Sequence, residues 1–346
     1  MDILQVSRPV ALSGLDDIPL PSTDAAAPLA LLERCPVAAE TPLIRADAIG
    51  SEARVDELWL KDERGRMGLG SFKALGAAYV IAYDAERGQA KGRTYVTASA
   101  GNHGMSVAAG AAAFGARAVI YIAETVPESF AARLREQGAE VVREGAIYEA
   151  SMAAAQRAAD ERGWTLLSDS SWPGYTEAPH RLMEGYLAMM DEVIRHMPRV
   201  PTHVFLQAGV GGLAGACAAL IRERWGEGPC IVVVEPEFAA ALYGSIKAGR
   251  PEESDGPVSE MGRLDCKMPS LIALKGLARD ADAFALISEA EGEAGAGTVM
   301  VAGYPSTPSG AAGVSALLAL DEGQRAELGL DESSIVMCIL SEGPES

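Results

Sequence analysis

Along most of the chain, short β-branched runs alternate with longer amphipathic or alanine-rich stretches. Residues 93–98 ("RTYVTA") read as a strand followed by a helix near 103–114. Residues 118–123 ("AVIYIA") lead to a helix begun at Pro127, a favourable first helical position. "EVVRE" (140–144) precedes a helix near 147–162, and "WTLLSD" (164–169) precedes another near 175–195. "THVFLQ" (202–207), a glycine-rich turn and a helix to about 224 come next, then "CIVVVE" (230–235). Beyond a polar stretch at 249–268, "AFALIS" (283–288), a helix near 309–320 and "SIVMCIL" (334–340) complete the pattern. Strands apolar on both faces and separated by helices predict parallel sheet covered by helices, an α/β protein of two interleaved lobes around one cleft. Residues 1–40 show no clear period and are expected to wrap over a surface.

Composition narrows the picture. A chain of 346 residues buries a sizeable core. Its formal net charge of −19 favours solubility and opposes binding to nucleic acid or anionic membrane. The five cysteines (Cys35, Cys217, Cys230, Cys266, Cys338) contain no CxxC pair, so neither a disulfide framework nor a metal site is expected. Cys217, Cys230 and Cys338 sit in apolar runs and read as small core residues. No stretch of about 18 apolar residues and no secretory leader is visible, so a cytoplasmic location is expected.

In parallel sheets ligands bind beyond the carboxyl ends of the strands, so the residues just after each strand carry the candidate chemistry. After 202–207 comes "AGVGGLAGA" (208–216), glycines followed by a helix start whose free N–H groups suit a phosphate. Gly209, Gly211 and Ala214, with Glu235 ending the next strand, also fit a dinucleotide-binding unit, which leaves a nicotinamide oxidoreductase as a rival. After 93–98 comes "SAGNHG" (99–104), a loop of neutral donors suited to a carboxylate; His103 taken alone reads as a surface residue of a capping turn. Asp169 follows a strand and is either a base or a cap. Ser341 ends the last strand and offers one hydroxyl. Lys73, in "GLGSFKALGAAYV" (68–80), stands at a helix start among small apolar residues, with a hydroxyl two positions before it.

Together these stretches resemble the fold-type II pyridoxal-phosphate enzymes, the group of serine and threonine dehydratases and the tryptophan synthase β-subunit. "SFK" resembles the group's Schiff-base lysine motif, "SAGNHG" its asparagine loop, "AGVGGLAG" its phosphate cradle and "LSEG" its final strand. The resemblance runs from about 41 to 343 with all four motifs in order. Several segments, among them "SDSSWPGY" and "MEGYLAMMDEV", are most similar to the diaminopropionate ammonia-lyases. In one place the chain departs from them: Ala100 stands where those lyases carry an aspartate before GNHG, and "SAGNHG" is the threonine dehydratase form.

The resemblance implies parallel-rich twisted sheets and a cofactor in the cleft between a larger lobe (1–71 plus 169–346) and a smaller, mobile, substrate-side lobe (72–168). It implies pyridoxal 5'-phosphate held by Lys73, which needs a lowered pKa or prior capture by the cofactor. Asn102 would contact the 3'-oxygen, and Gly209, Val210, Gly211, Gly212 and Leu213 the phosphate. Ser341 would meet the pyridine nitrogen. Ser99, Ala100, Gly101 and His103 would receive the substrate carboxylate, and Asp169 would face the β-side. The implied activity is β-elimination on an amino acid such as 2,3-diaminopropionate, L-preferring, giving a 2-oxo acid (pyruvate) and ammonia. Alternatives are an L-serine, L-threonine or substituted-serine dehydratase, the oxidoreductase above, and a non-catalytic amino-acid sensor. A homodimer is the group's default.

Overall fold

The computed structural model describes residues 1–344. Among the described residues eleven strands lie in two sheets: β1 (Asp2–Gln5), β2 (Leu43–Arg45), β3 (Glu57–Asp62), β4 (Thr94–Ala98), β5 (Arg117–Ile122), β6 (Glu140–Arg143), β7 (Thr165–Leu166), β8 (His203–Gln207), β9 (Cys230–Pro236), β10 (Ala283–Ile287) and β11 (Ile335–Leu340). The larger sheet has the order β1-β10-β9-β8-β11-β3-β2, the smaller β6-β5-β4-β7. Pairing is parallel except at the two edges of the larger sheet, where β1 and β2 run antiparallel to β10 and β3. Strands β4, β8 and β11 are buried at every residue, which is why they read as unbroken apolar runs rather than alternating ones.

Strand order decides where a ligand fits. In the smaller sheet β5 and β6 extend to one side of β4 while β7 joins the other; in the larger, β9 and β10 extend to one side of β8 while β11 joins the other. Each reversal opens a crevice past the carboxyl ends of two neighbouring strands. The loops after β4, β7, β8 and β11 therefore converge.

Two long helices seat this arrangement. Helix Lys73–Glu86 and helix Glu177–His196 cross so closely that a Cβ on Gly185 would lie 2.4 Å from the Leu75 carbonyl oxygen, and one on Gly76 2.7 Å from Tyr186 Cε1. Helix Gly212–Trp225 also packs on helix Glu177–His196 within the main core, which includes Leu182, Met183, Tyr186, Leu187, Ala216 and Leu220. A buried ionic knot pins the approach to Lys73: Lys61 and Arg66 meet Glu63 and Glu192, with Lys61 Nζ 2.5 Å from Glu192 Oε2 and Arg66 Nη2 2.7 Å from both acids. Two cations and two anions cancel, so no uncompensated charge is buried.

Several expectations need correction. The first forty residues do not merely wrap the surface, since Asp2–Gln5 adds an edge strand and Ala26–Leu32 is helical. The strand expected at 164–169 shrinks to Thr165–Leu166, because the residues after it turn into the crevice. Pro127 caps its helix in extended conformation rather than opening it, and the helix expected near 309–320 spans Ala312–Ala319. Cys217 and Cys338 are core residues, whereas Cys230 is half-buried. Among the described residues no helix is long and apolar enough to cross a membrane, and no cluster of His, Cys, Asp and Glu is placed to hold a metal ion.

Candidate active site

The segment before Lys73 is stitched to the end of β11. Phe72 donates its N–H to the Ser341 carbonyl at 3.1 Å, Gly343 donates to the Gly70 carbonyl at 2.9 Å, and Ser71 bridges Glu342. Lys73 thus opens its helix beside Ser341, although the two are far apart in sequence. Its ammonium donates to Asp169 Oδ2 at 2.5 Å and lies 5.3 Å from the centre of the Phe72 ring. Burial disfavours both charges, but their mutual attraction outweighs it: Lys73 is held above the ordinary lysine range and Asp169 below the carboxylate range. Of the two conditions the sequence reading allowed, a lowered pKa is not met in the free amine, which leaves prior capture by the cofactor. Asp169 caps no helix, and its carboxylate pairs with Lys73.

Asp169 is itself held firmly. The Tyr175 hydroxyl donates to the Leu166 carbonyl and accepts from the Ser168 N–H, both at 3.0 Å, while its ring stacks on Trp172 at 4.3 Å. Ser171 and Ser270 hydroxyls meet at 2.7 Å, and Ser270 donates its N–H to the Val210 carbonyl at 2.9 Å. That zipper couples the Asp169 loop to the glycine loop.

The loop after β4 folds over the same crevice. Ser99 Oγ accepts from the Gly101 N–H at 3.3 Å, with Ala100 half-buried between them. Asn102 begins helix Asn102–Ala113 and donates from Nδ2 to Glu342, which also accepts from Thr307 Oγ1 at 2.5 Å. His103 is not a surface residue: it is buried, and its Nε2 lies 2.8 Å from the Leu167 carbonyl. That contact requires the proton on Nε2, and burial lowers the His103 pKa, so the ring is neutral.

After β8 the chain turns sharply into helix Gly212–Trp225. Gly211 caps that helix at φ +96°, a conformation side chains avoid, and a Cβ there would lie 3.0 Å from both Ala273 Cβ and Leu242 Cδ1. A Cβ on Gly209 would sit 3.0 Å from Cys266 Sγ. The first amides of this helix have no carbonyl one turn back to receive them, so Gly212, Leu213 and their neighbours present N–H groups and a positive dipole end to the crevice.

These residues fit the implied cofactor: a primary amine, an anion cradle made of backbone, and a neutral hydroxyl at a strand end. Three buried polar atoms in and around the crevice also lack a well-formed hydrogen bond among the described residues, namely Ser71 Oγ, His103 Nδ1 and Tyr186 Oη. Every residue singled out for the lysine, asparagine, glycine and final-strand motifs is brought to this one crevice. Glu235 is not. It is buried and accepts the N–H groups of Leu242 and Tyr243 at 2.8 and 2.7 Å, so it caps a helix and reaches no ribose site. Sequence reasoning passed over Tyr186, Arg263, Cys266, Thr307 and Glu342. Arg263 lies against Gly101 and 5.7 Å from the Phe130 ring centre; Cys266 adjoins the glycine loop with its thiol pushed up to about 12 by burial. Glu342 adjoins Ser341, and that adjacency was the one available signal.

Comparison with known proteins agrees with this geometry. Residues 36–342 match the family described as pyridoxal-phosphate dependent enzyme. The diaminopropionate ammonia-lyase of Salmonella typhimurium is 31% identical over 92% of this chain and 88% of its own length. The crystal structure of the Escherichia coli diaminopropionate ammonia-lyase, in complex with an aminoacrylate-PLP azomethine reaction intermediate, superposes with a TM-score of 0.87. It has 27% identity over 99% of this chain and 93% of that one. The biosynthetic L-threonine dehydratase of Pasteurella multocida is 31% identical over 59% of this chain and 38% of its own length.

Proposed function

The chain belongs to the pyridoxal-phosphate-dependent enzymes and is a lyase of fold type II; from that premise we propose that it removes ammonia from a β-substituted amino acid of the 2,3-diaminopropionate type. The products on this reading are a 2-oxo acid, pyruvate for diaminopropionate, and ammonia. The observation that carries it is the Lys73–Asp169 pair, 2.5 Å apart, set where four strand-end loops meet beside a glycine-capped helix start.

When bound, the cofactor supplies an electron-withdrawing ring that acidifies the substrate's Cα–H. The chain's own residues then act as follows. Lys73 Nζ is the attachment point, and it reacts only after losing a proton; the Asp169 carboxylate is the acceptor within reach. The amides of Gly209, Val210, Gly211, Gly212 and Leu213 hold the phosphate end. Asn102, steadied by Glu342, orients the 3'-oxygen, and Ser341 offers the pyridine nitrogen a neutral partner rather than a charge. Ser99, Ala100, Gly101 and neutral His103 form the substrate-carboxylate loop. Once Lys73 is engaged, Asp169 faces the substrate and exchanges protons on its β-side.

Ala100 supports an L-preference. It places a methyl where an acid would serve the opposite face, leaving Lys73 and Asp169 as the bases in the crevice. We also read residues 72–168 as a smaller lobe that closes on the remainder, in line with the confinement of β4–β7 to 94–166. The dehydratase reading draws on the same Ala100 and on the partial match to the threonine dehydratase.

The test loads the purified protein with pyridoxal phosphate, traps it with borohydride, and assays 2-oxo acid release from L- and D-2,3-diaminopropionate, L-serine and L-threonine. The expected result is a modified peptide at Lys73 and fastest turnover of L-diaminopropionate. Faster turnover of serine or threonine would install the dehydratase reading, and no modification at Lys73 would overturn both.

A further inference from the structure

Tyr186 stands out because nothing assigned so far uses it. It lies on helix Glu177–His196 among Leu182, Met183, Leu187 and Met190, all buried, where a phenylalanine would complete the apolar face. Instead it carries a hydroxyl, 1% exposed as a residue, that makes no well-formed hydrogen bond among the described residues and lies within reach of the Lys73 amine. A buried hydroxyl left without a good hydrogen bond destabilises the fold, so one kept at this place calls for a partner. The ring cannot turn away, since its Cε1 meets the helix edge at Gly76, its Cε2 lies 3.7 Å from a Cβ built on Gly212, and it stands edge-on to Phe72 at 4.9 Å. The same Phe72 ring lies 5.3 Å from Lys73 Nζ. Tyr186 and Lys73 thus share one wall of the crevice, between the lysine helix and the start of the glycine-loop helix.

We propose that the Tyr186 hydroxyl is a docking point for the Lys73 amine, receiving its N–H whenever Asp169 is engaged elsewhere and so holding the amine inside the crevice. This rests on the reading of Lys73 as the attachment residue. An amine released from a covalent bond needs an acceptor at once, and Asp169 then faces the substrate. Tyr186 is a neutral acceptor on the lysine's own wall, so it positions Lys73 without competing for its proton. The titratable groups facing Lys73 are Asp169 from the loop after β7, Tyr186 from helix Glu177–His196, His103 from helix Asn102–Ala113, Tyr148 from helix Tyr148–Arg162 and Cys266 from the loop before helix Leu271–Asp280. Of these, Asp169 alone is charged near neutral pH. Burial raises the Tyr186 pKa, while the Lys73 charge and a loose hydrogen bond from its amine act the other way, so the two groups already lie within reach of each other.

The test uses cofactor-free protein, with Asp169→Asn to weaken the competing partner and Tyr186→Phe added to it. Lysines are labelled with a trace of acetic anhydride at pH 9, and the Lys73 rate is read by mass spectrometry against exposed Lys91. Loss of a hydrogen bond to a charged group raises the fraction of free amine by about tenfold. The expected result is a roughly tenfold faster Lys73 rate in the double variant than in Asp169→Asn alone, and a smaller change on the wild-type background. Equal rates in the presence and absence of the hydroxyl would overturn the proposal. If Tyr186→Phe is recovered unfolded, 4-fluorophenylalanine inserted at position 186 fills the same volume without the hydroxyl and gives the same comparison. Borohydride trapping of the cofactor on Lys73 in each variant keeps the two readings apart. Trapping with unchanged labelling sinks only the Tyr186 proposal, whereas no trapping in the wild type sinks the function.

Discussion

Replacing Gly211 by alanine tests the glycine loop as a built cradle rather than a convenient turn. The residue sits at φ +96°, ψ −1°, as the cap of helix Gly212–Trp225. An L-residue with a side chain loses about 1–2 kcal/mol in left-handed conformation. The added methyl would also lie 3.0 Å from Ala273 Cβ and Leu242 Cδ1, tighter than ordinary carbon contact, and overpacking of that kind costs about 1–3 kcal/mol. The sum, about 2–5 kcal/mol, corresponds to a fall of roughly 3–7 °C in Tm for a chain of 346 residues. Gly212→Ala is the matched control. Its φ is not in the positive range, its methyl would meet Met183 and Tyr186 at an ordinary 3.7 Å, and alanine suits a first helical turn better than glycine. Calorimetry on cofactor-free protein should rank Gly212→Ala at or above wild type and Gly211→Ala well below. Titration with pyridoxal phosphate should show at least tenfold weaker binding for Gly211→Ala, whose helix start must shift. If both variants melt together, or if Gly211→Ala binds the cofactor as wild type does, the assignment of the strained cap to phosphate holding is wrong.

Other perturbations probe the remaining contacts. Asp169→Asn removes one charge of the crevice pair at a cost of about 1–3 kcal/mol. Asp169, depressed below its ordinary 3.8, contributes stability above that pH and loses it below; Lys73, raised above 10.5, contributes below that pH and loses it above. Urea melts should therefore show a wild-type advantage that is flat from about pH 4 to 10 and shrinks on either side, and a steady slope through neutrality would contradict the assigned pair. Asn102 and Thr307 donate to different oxygens of Glu342, and Glu342→Gln turns one of those acceptors into an NH2 donor. It should lose about 1–3 kcal/mol and bind pyridoxal phosphate more weakly, and unchanged binding would show that Asn102 is held without it. Gly185→Ala places a methyl 2.4 Å from the Leu75 carbonyl and must separate the two crossing helices. A loss of about 3 kcal/mol is expected, and a melt within one degree of wild type would mean the crossing is looser than described.

The strand ends were legible because they depend on local signals. Buried parallel strands must be apolar on both faces, and the residue types that bend sharply or donate to an anion are few, so "SAGNHG" and "AGVGGLAG" stand out from their surroundings. The lysine at 73 announced itself as a charge in small-residue company. Strand β1 was hidden because four residues at a sheet edge, with ends exposed and middle half-buried, carry no period to read.

What the chain of letters determined was the α/β alternation, the family motifs and their order, and therefore the chemistry available. Only the tertiary structure decided the partners. It set Asp169 against Lys73 and kept the free lysine charged, drew Glu342 onto Asn102, buried His103, turned Glu235 away onto the helix that follows its strand, and placed the Tyr186 hydroxyl on the lysine's wall of the crevice. The physical reason is range. Turn geometry and apolar periodicity act over a few neighbours and are written locally, whereas a charge or hydroxyl takes its role from whichever group packing brings within a few ångströms, and that neighbour can lie anywhere along the chain.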